Sequence, residues 1–159
     1  MTVKLICVGK LKERFYTDAC KEFTKRLARY ASVEVIEVAD ERAPERLSEA
    51  QKAQVTDAEG RRILERIAHG DLVVAMDAKG VQLESERMAA QLQSWMNLGK
   101  SRICFVVGGS LGLSEAVLRR ADFTLSFGKN TFSHQVFRVM LLEQVYRCFR
   151  ILAGEPYHK

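Results

Sequence analysis

Apolar residues along this chain alternate between two spacings, one strand-like and one helix-like. Val3 to Val8 is an apolar run ending at Gly9, as expected of a buried strand. Phe15, Ala19, Phe23, Leu27 and Tyr30 then recur about every four residues, with Lys21, Lys25, Arg26 and Arg29 between them. That spacing predicts an amphipathic helix with a basic outer face. Val33 to Val38 predicts a second strand, and the polar stretch Ala39 to Pro44 a loop. From Ser48 to Ala68 a long polar helix is expected, with Val55, Ala58, Ile63, Leu64 and Ile67 as its apolar side. Leu72 to Met76 predicts a third strand, and Ser85 is placed to N-cap a helix that turns Met88, Leu92, Trp95 and Met96 inward. Ile103 to Val107 predicts a fourth strand, Ser114 caps a short helix through Val117 and Leu118, Phe123 to Phe127 is a fifth strand, and Gln135 to Leu152 the last helix.

Strands alternating with helices predict an α/β fold, a mostly parallel sheet flanked by helices on both faces. No internal repeat or low-complexity tract interrupts the 159 residues, and the only prolines are Pro44 and Pro156. Residues 1–159 therefore read as a single domain, long enough for a sizeable core. The last helix is apolar on more than one face, through Val136, Val139, Met140, Leu141, Leu142, Val145, Tyr146, Phe149, Ile151 and Leu152. One face can lie on the sheet. The other either meets a second subunit, giving a homodimer, or is enclosed within the same subunit.

The formal net charge is +5 and the sequence pI about 9.1, which favours RNA, DNA or anionic surfaces as partners without choosing among them. No run approaches the roughly eighteen apolar residues of a membrane span, and the opening Met1 to Gly9 reads as a strand rather than a signal peptide. A cytoplasmic protein is expected. Cys7, Cys20, Cys104 and Cys148 show no Cys-x-x-Cys spacing, and the histidines are His69, His134 and His158. Neither a structural metal site nor a disulfide framework is expected.

The candidate chemistry lies at three strand–loop junctions: Met76 to Gly80, Val107 to Gly112, and Leu125 to His134. Loops at the carboxyl ends of strands, beside helix N-termini, are where open α/β proteins bind ligands. Gly108-Gly109-Ser110-Leu111-Gly112 has neither Rossmann nor P-loop spacing. Its glycines serve equally a tight turn or close approach of a ligand to backbone. Asp77 is a turn residue or a hydrogen-bond acceptor. His134 is a base, a phosphate donor or a cap, and Arg138 stands one turn later on the same helix. The tail from Gly154 to Lys159 either frays or offers Tyr157, His158 and Lys159 to a nucleotide.

Taken in order, Val8-Gly9-Lys10-Leu11-Lys12-Glu13, Ile36 to Glu41, Val107 to Ser110, Leu125 through Arg138, Glu143 to Arg147 and Pro156-Tyr157-His158-Lys159 span essentially the whole chain. Together they resemble the RlmH-type ribosomal RNA methyltransferases of the SPOUT superfamily. That resemblance implies a deep C-terminal trefoil knot, a feature almost absent from proteins and invisible to periodicity. It also implies a homodimer, S-adenosyl-L-methionine as methyl donor, and methylation at N3 of a pseudouridine in bacterial 23S rRNA on the assembled ribosome. By position, the donor site would carry Met76, Gly108 and the run Phe127, Gly128, Lys129, Asn130, Thr131 and Phe132. The family often has leucine where this chain has Met76, another apolar side chain.

For the chemistry, transfer from a sulfonium needs a deprotonated nucleophile, so a base or a stabiliser of the ring anion is called for. His134 and His158 are the candidate bases, Tyr157 a stacking ring, and Arg138 a contact to phosphate or to charge developing on the ring. Two other classes compete: a ribosome- or RNA-binding module that keeps the cofactor pocket without turnover, and an unrelated nucleotide-binding α/β domain.

Overall fold

A computed structural model describes residues 1–157; His158, an expected site residue, and Lys159 lie outside the described residues. The elements run β1 (Thr2–Val8), α1 (Arg14–Leu27), β2 (Ser32–Val38), α2 (Glu49–Leu64), β3 (Leu72–Gln82), α3 (Ser85–Asn97), β4 (Arg102–Val107), α4 (Glu115–Arg120), β5 (Phe123–Ser126) and α5 (His134–Leu152). All five strands are parallel, in the order β2-β1-β4-β3-β5.

Period-two alternation divides the core. Val3, Leu5 and Cys7 of β1 point into a cluster shared with α1, α3 and α5, while Ile6 and Val8 point into a smaller one with Ile63 of α2 and Val117 of α4. The second apolar face of α5 is partly covered from inside, because α1 and α3 both pack along that helix. Val136, Phe137, Val139, Met140, Ile151 and Leu152 nevertheless remain only half-buried.

Local signals set the helix starts. Ser48 and Gln51 form a reciprocal capping box on α2, and Ser114 caps α4. Three expectations need correction. Ser85 is the first helical residue rather than the cap; Glu84 holds the cap position, and the Ser85 hydroxyl instead donates to Gln144 Oε1 of α5 at 3.0 Å. The long polar helix stops at Leu64, short of Ala68, and a turn bonded from Arg66 to Ile63 and from Ile67 to Leu64 leads to β3. Most consequentially, Met76 to Gly80 is not a free loop. β3 continues to Gln82, and its pairing with β5 slips between Met76 and Val81, both of which face Leu125.

At the amino ends of the strands, far from these loops, sits a buried charge cluster. Lys4 Nζ donates to the Arg66 carbonyl at 3.0 Å and to Asp71 Oδ2 at 3.1 Å. The same Oδ2 accepts the Ala68 N–H at 2.9 Å, and Arg102 Nε lies 2.8 Å from Oδ1. Burial pushes the Asp71 carboxyl up, but the Ala68 amide, Lys4 and Arg102 outweigh it and hold the group below its ordinary value. A depressed folded-state pKa contributes stability that is present above the usual carboxylate range, near 3.9, and lost as pH falls through the folded value. Asp71→Ala leaves the Lys4 ammonium buried without its counter-charge and is expected to cost about 3–5 kcal/mol at neutral pH, less as the pH approaches that window. Denaturant unfolding of both proteins across pH checks this; a constant difference down to strong acid would contradict it.

Candidate active site at the carboxyl edge of the sheet

The carboxyl ends of β3, β4 and β5 enclose a cavity of about 380 Å³, within the range of small-molecule sites. Met76, Gly108, Phe127, Gly128, Asn130, Thr131 and Phe132, all expected from the sequence, meet on its wall together with His134. Lys129, expected beside them, is exposed and does not line it. Ser126 and Phe137 were not anticipated. Phe137 stands one helical turn from His134, a spacing that could have flagged it, and its ring lies 5.3 Å from Phe127 and 6.2 Å from Phe132. Ser126 looks like any strand residue in sequence. In the fold its buried hydroxyl donates to the Ala78 and Gly128 carbonyls, at 3.2 and 3.1 Å, or accepts the Gly128 N–H, tying the irregular part of β3 to the loop after β5.

The Gly108–Gly112 loop folds back on itself, with the Gly112 N–H donating to the Gly109 carbonyl at 3.1 Å. A Cβ on Gly108 would lie 2.7 Å from the Gly112 carbonyl carbon. Glycine is therefore demanded here by the loop's own backbone, and a valine at this position would open the loop rather than merely obstruct a ligand. Asp77 is engaged as a turn residue, its Oδ1 accepting the Lys79 N–H at 2.8 Å, although it also lines the cavity.

His134 opens α5, with Ser133 as the capping residue. The imidazole rests over Gly9, whose φ of 84° only glycine adopts readily; a Cβ there would touch Cε1 at 3.4 Å. His134 Nδ1 is buried without a hydrogen-bond partner. Burial, then the nearby Arg138 and Lys12 cations, lower its pKa against the opposing pull of Asp40, so the ring is neutral at neutral pH. Arg138 does not join His134 in the cavity. It is 1% exposed, donates to the Gly9 carbonyl at 3.1 Å and pairs with Glu37 at 3.4 Å. Glu37 also accepts the Leu11 N–H, and Gln135 the Lys12 N–H, so Arg138 anchors the β1–α1 loop under His134. A guanidinium so enclosed cannot reach an RNA phosphate, which corrects the expected role.

Tyr157 lies elsewhere, toward the far half of α5. Its hydroxyl donates to Glu143 Oε1 at 3.0 Å, its ring meets Tyr146 edge-on at 5.0 Å, and the Arg147 guanidinium sits 4.6 Å from its centroid. Glu143 is nine residues beyond His134, about 13 Å along the helix axis. The chain is therefore held against its own helix as far as Tyr157, and Tyr157 does not line its own cavity.

Comparison with known proteins bears on this geometry. The chain is 54% identical over 159 residues to ribosomal RNA large subunit methyltransferase H of Bifidobacterium animalis subsp. lactis, 52% to that of Lysinibacillus sphaericus and 50% to one of Clostridium perfringens, each covering all of both chains. Among solved structures, a methylase-family protein from Haemophilus influenzae superposes with a TM-score of 0.55 at 12% identity, over 96% of this chain and 66% of the other. The tRNA (m1G37) methyltransferase of Aquifex aeolicus gives 0.53 at 15% identity, over 92% and 70%. A Legionella pneumophila methyltransferase solved with bound SAM gives 0.50 at 12%, over 94% and 66%. These three share the fold. The family model described as "Predicted SPOUT methyltransferase" matches residues 1–158, and with relatives aligned end to end the chain belongs to the SPOUT methyltransferase family.

Proposed function

We propose that this protein methylates large-subunit ribosomal RNA, taking the methyl group from S-adenosyl-L-methionine and placing it on N3 of a pseudouridine in the assembled ribosome. The observation that carries methylation of large-subunit ribosomal RNA is full-length identity of 50–54% to proteins named as ribosomal RNA large subunit methyltransferase H; the pseudouridine and the assembled ribosome are what the resemblance of the motifs implies. The cavity supports it. Its backbone-lined floor at Gly108 and Gly109 and its aromatic wall of Phe127, Phe132 and Phe137 fit a flat, polar-edged nucleoside. The bound donor supplies an electrophilic methyl on a sulfonium. The chain's own residues then hold it, exclude water and deal with the N3 proton.

His134 is the candidate acceptor of that proton: it is neutral, lines the cavity and has a free buried Nδ1. Arg138 acts through it, fixing the loop that carries Gly9 beneath the ring. Among the described residues no helix is long and apolar enough to cross a membrane. Tyr157, with His158, grips the acceptor base. Because Tyr157 is held about two turns or more from its own cavity, it completes the site of a second copy, making the active form a homodimer.

The direct test is calorimetry with the donor, followed by methylation of ribosomes lacking the modification and mass spectrometry of the rRNA. Donor binding without methyl transfer would leave only an RNA-binding role. Deleting residues 157–159 should leave donor affinity nearly intact while lowering methylation by orders of magnitude. Mixing that truncated protein with a His134→Ala variant should restore activity, because a mixed dimer holds one complete site; no recovery would return the tail to its own subunit. For His134, the lowered pKa keeps the base form available below the usual histidine value near 6.5, so the acid limb of the rate profile should fall beneath that value. The same limb surviving in His134→Gln would remove the imidazole from the mechanism.

A further inference from the structure

Glu59 stands one layer behind the cavity. It lies on α2 and is only 4% exposed. Its Oε1 accepts the Glu41 N–H at 3.1 Å, but Oε2 is buried with no hydrogen-bond partner. Both oxygens face Gly109: a Cβ there would fall 3.0 Å from Oε2 and 3.3 Å from Oε1. Gly109 lines the cavity. An incompletely paired carboxyl thus packs directly against the backbone of a glycine that lines the ligand space.

The charges around Glu59 do not neutralise it. Burial raises its pKa, and Asp40 and Glu41 from the β2–α2 loop act in the same sense. Arg62 opposes them but is already paired with Glu41 and donates to the Ala39 carbonyl at 2.9 Å. A buried carboxyl left this way costs stability unless a cation offsets it, and among the described residues no cation forms an ion pair with it.

We propose that Glu59 is a specificity-determining residue whose carboxylate, acting across Gly109, favours the cationic methyl donor over the neutral spent donor. This rests on the donor reading above. S-adenosylmethionine carries a positive charge on sulfur; once the methyl has left, the sulfur of S-adenosylhomocysteine is an uncharged thioether. The two ligands are otherwise alike, so contacts to the adenosine and amino-acid parts cancel in the ratio of their affinities. A sulfonium bound against the Gly109 side of the cavity would feel the attraction of a carboxylate packed just behind that backbone, and a charge pair with protein between its members interacts more strongly than one in water. Attraction that vanishes on transfer helps donor bind and product leave. Glycine at 109 leaves room for this packing, since a Cβ there would crowd both the carboxylate and Val8.

Glu59→Gln keeps the shape of the side chain and an oxygen for the Glu41 N–H. Titration calorimetry with each ligand should show donor affinity lowered about tenfold, or about 1.4 kcal/mol, and spent-donor affinity changed by less than about twofold. An equal loss for both ligands would mean a structural role, and no change in either would remove Glu59 from recognition; both outcomes overturn the proposal. Failure of the wild-type protein to bind either ligand would instead overturn the donor reading. Should the variant not fold, the same ratio is measured against pH in a protein carrying His134→Gln and Asp77→Asn, which removes the other titratable groups on the cavity wall. Preference for the donor should grow as rising pH ionises Glu59, and a pH-independent ratio would refute the idea.

Discussion

The site depends on backbone packed against backbone. A Cβ on Gly80 would lie 2.7 Å from the Thr124 carbonyl, one on Gly108 would lie equally close to Gly112, and one on Gly109 would meet Glu59. Real Cβ atoms are not found at such distances from backbone, so side chains at the first two positions would force the loops apart. Two backbone contacts with no side chain between them, Gly80 against β5 and Gly108 against its own loop, let the ends of β3, β4 and β5 line one cavity. The same closeness makes backbone amides and carbonyls the lining at Gly108 and Gly109. A ligand held there is recognised by polar groups that carry no side-chain entropy and need not be ordered on binding.

Much of this was legible in the sequence. All five strands and five helices are legible in the hydrophobic pattern: β1, β3 and β4 as continuous apolar runs, because both of their faces are buried, and the amphipathic helices from a recurring apolar side. The errors lie where tertiary contact overrides local pattern. Asp77 to Gly80 looks like a turn, and Asp77 does bond two residues ahead, but β5 offers the segment a partner and the strand resumes. Ser85 has cap chemistry, yet Gln144 sits across from it and takes its hydroxyl. Arg138 shares a helix with His134, and in a solvated helix both would be available to ligand. The Gly9 carbonyl and Glu37 draw the guanidinium inward, and no local signal announces partners 129 and 101 positions away in sequence. Glu59 was invisible for the same reason: a glutamate in a polar helix gives no hint that its neighbour in space is Gly109.

Burial of charge separates the two ends of the sheet. At the amino ends Lys4 and Arg102 both form ion pairs with the buried Asp71 carboxylate. At the carboxyl ends the buried ionisable groups are left short of partners: Glu59 Oε2, His134 Nδ1 and Arg138 Nε have none. Asp71 Oδ1 and Arg150 Nε also lack hydrogen-bond partners, so what marks the cavity is position rather than number: His134 lines it and Glu59 packs against Gly109 of its wall.

In the proposed homodimer, α5 would link that cavity to the one of the second copy. Its first residue borders the site, while its later turns hold Tyr157 through Glu143, Arg147 and Tyr146. A rigid helix fixes the separation between these two features, so bending the tail back would mean giving up all three contacts. A two-fold arrangement avoids that loss, because an isologous interface brings the end of one α5 toward the start of the other without disturbing either. Half-buried Val136, Val139, Met140, Ile151 and Leu152 along the helix would supply the apolar surface for such a pairing. On this view the excess hydrophobicity of α5 and the placement of its tail have one cause: the helix is built to serve two sites at once.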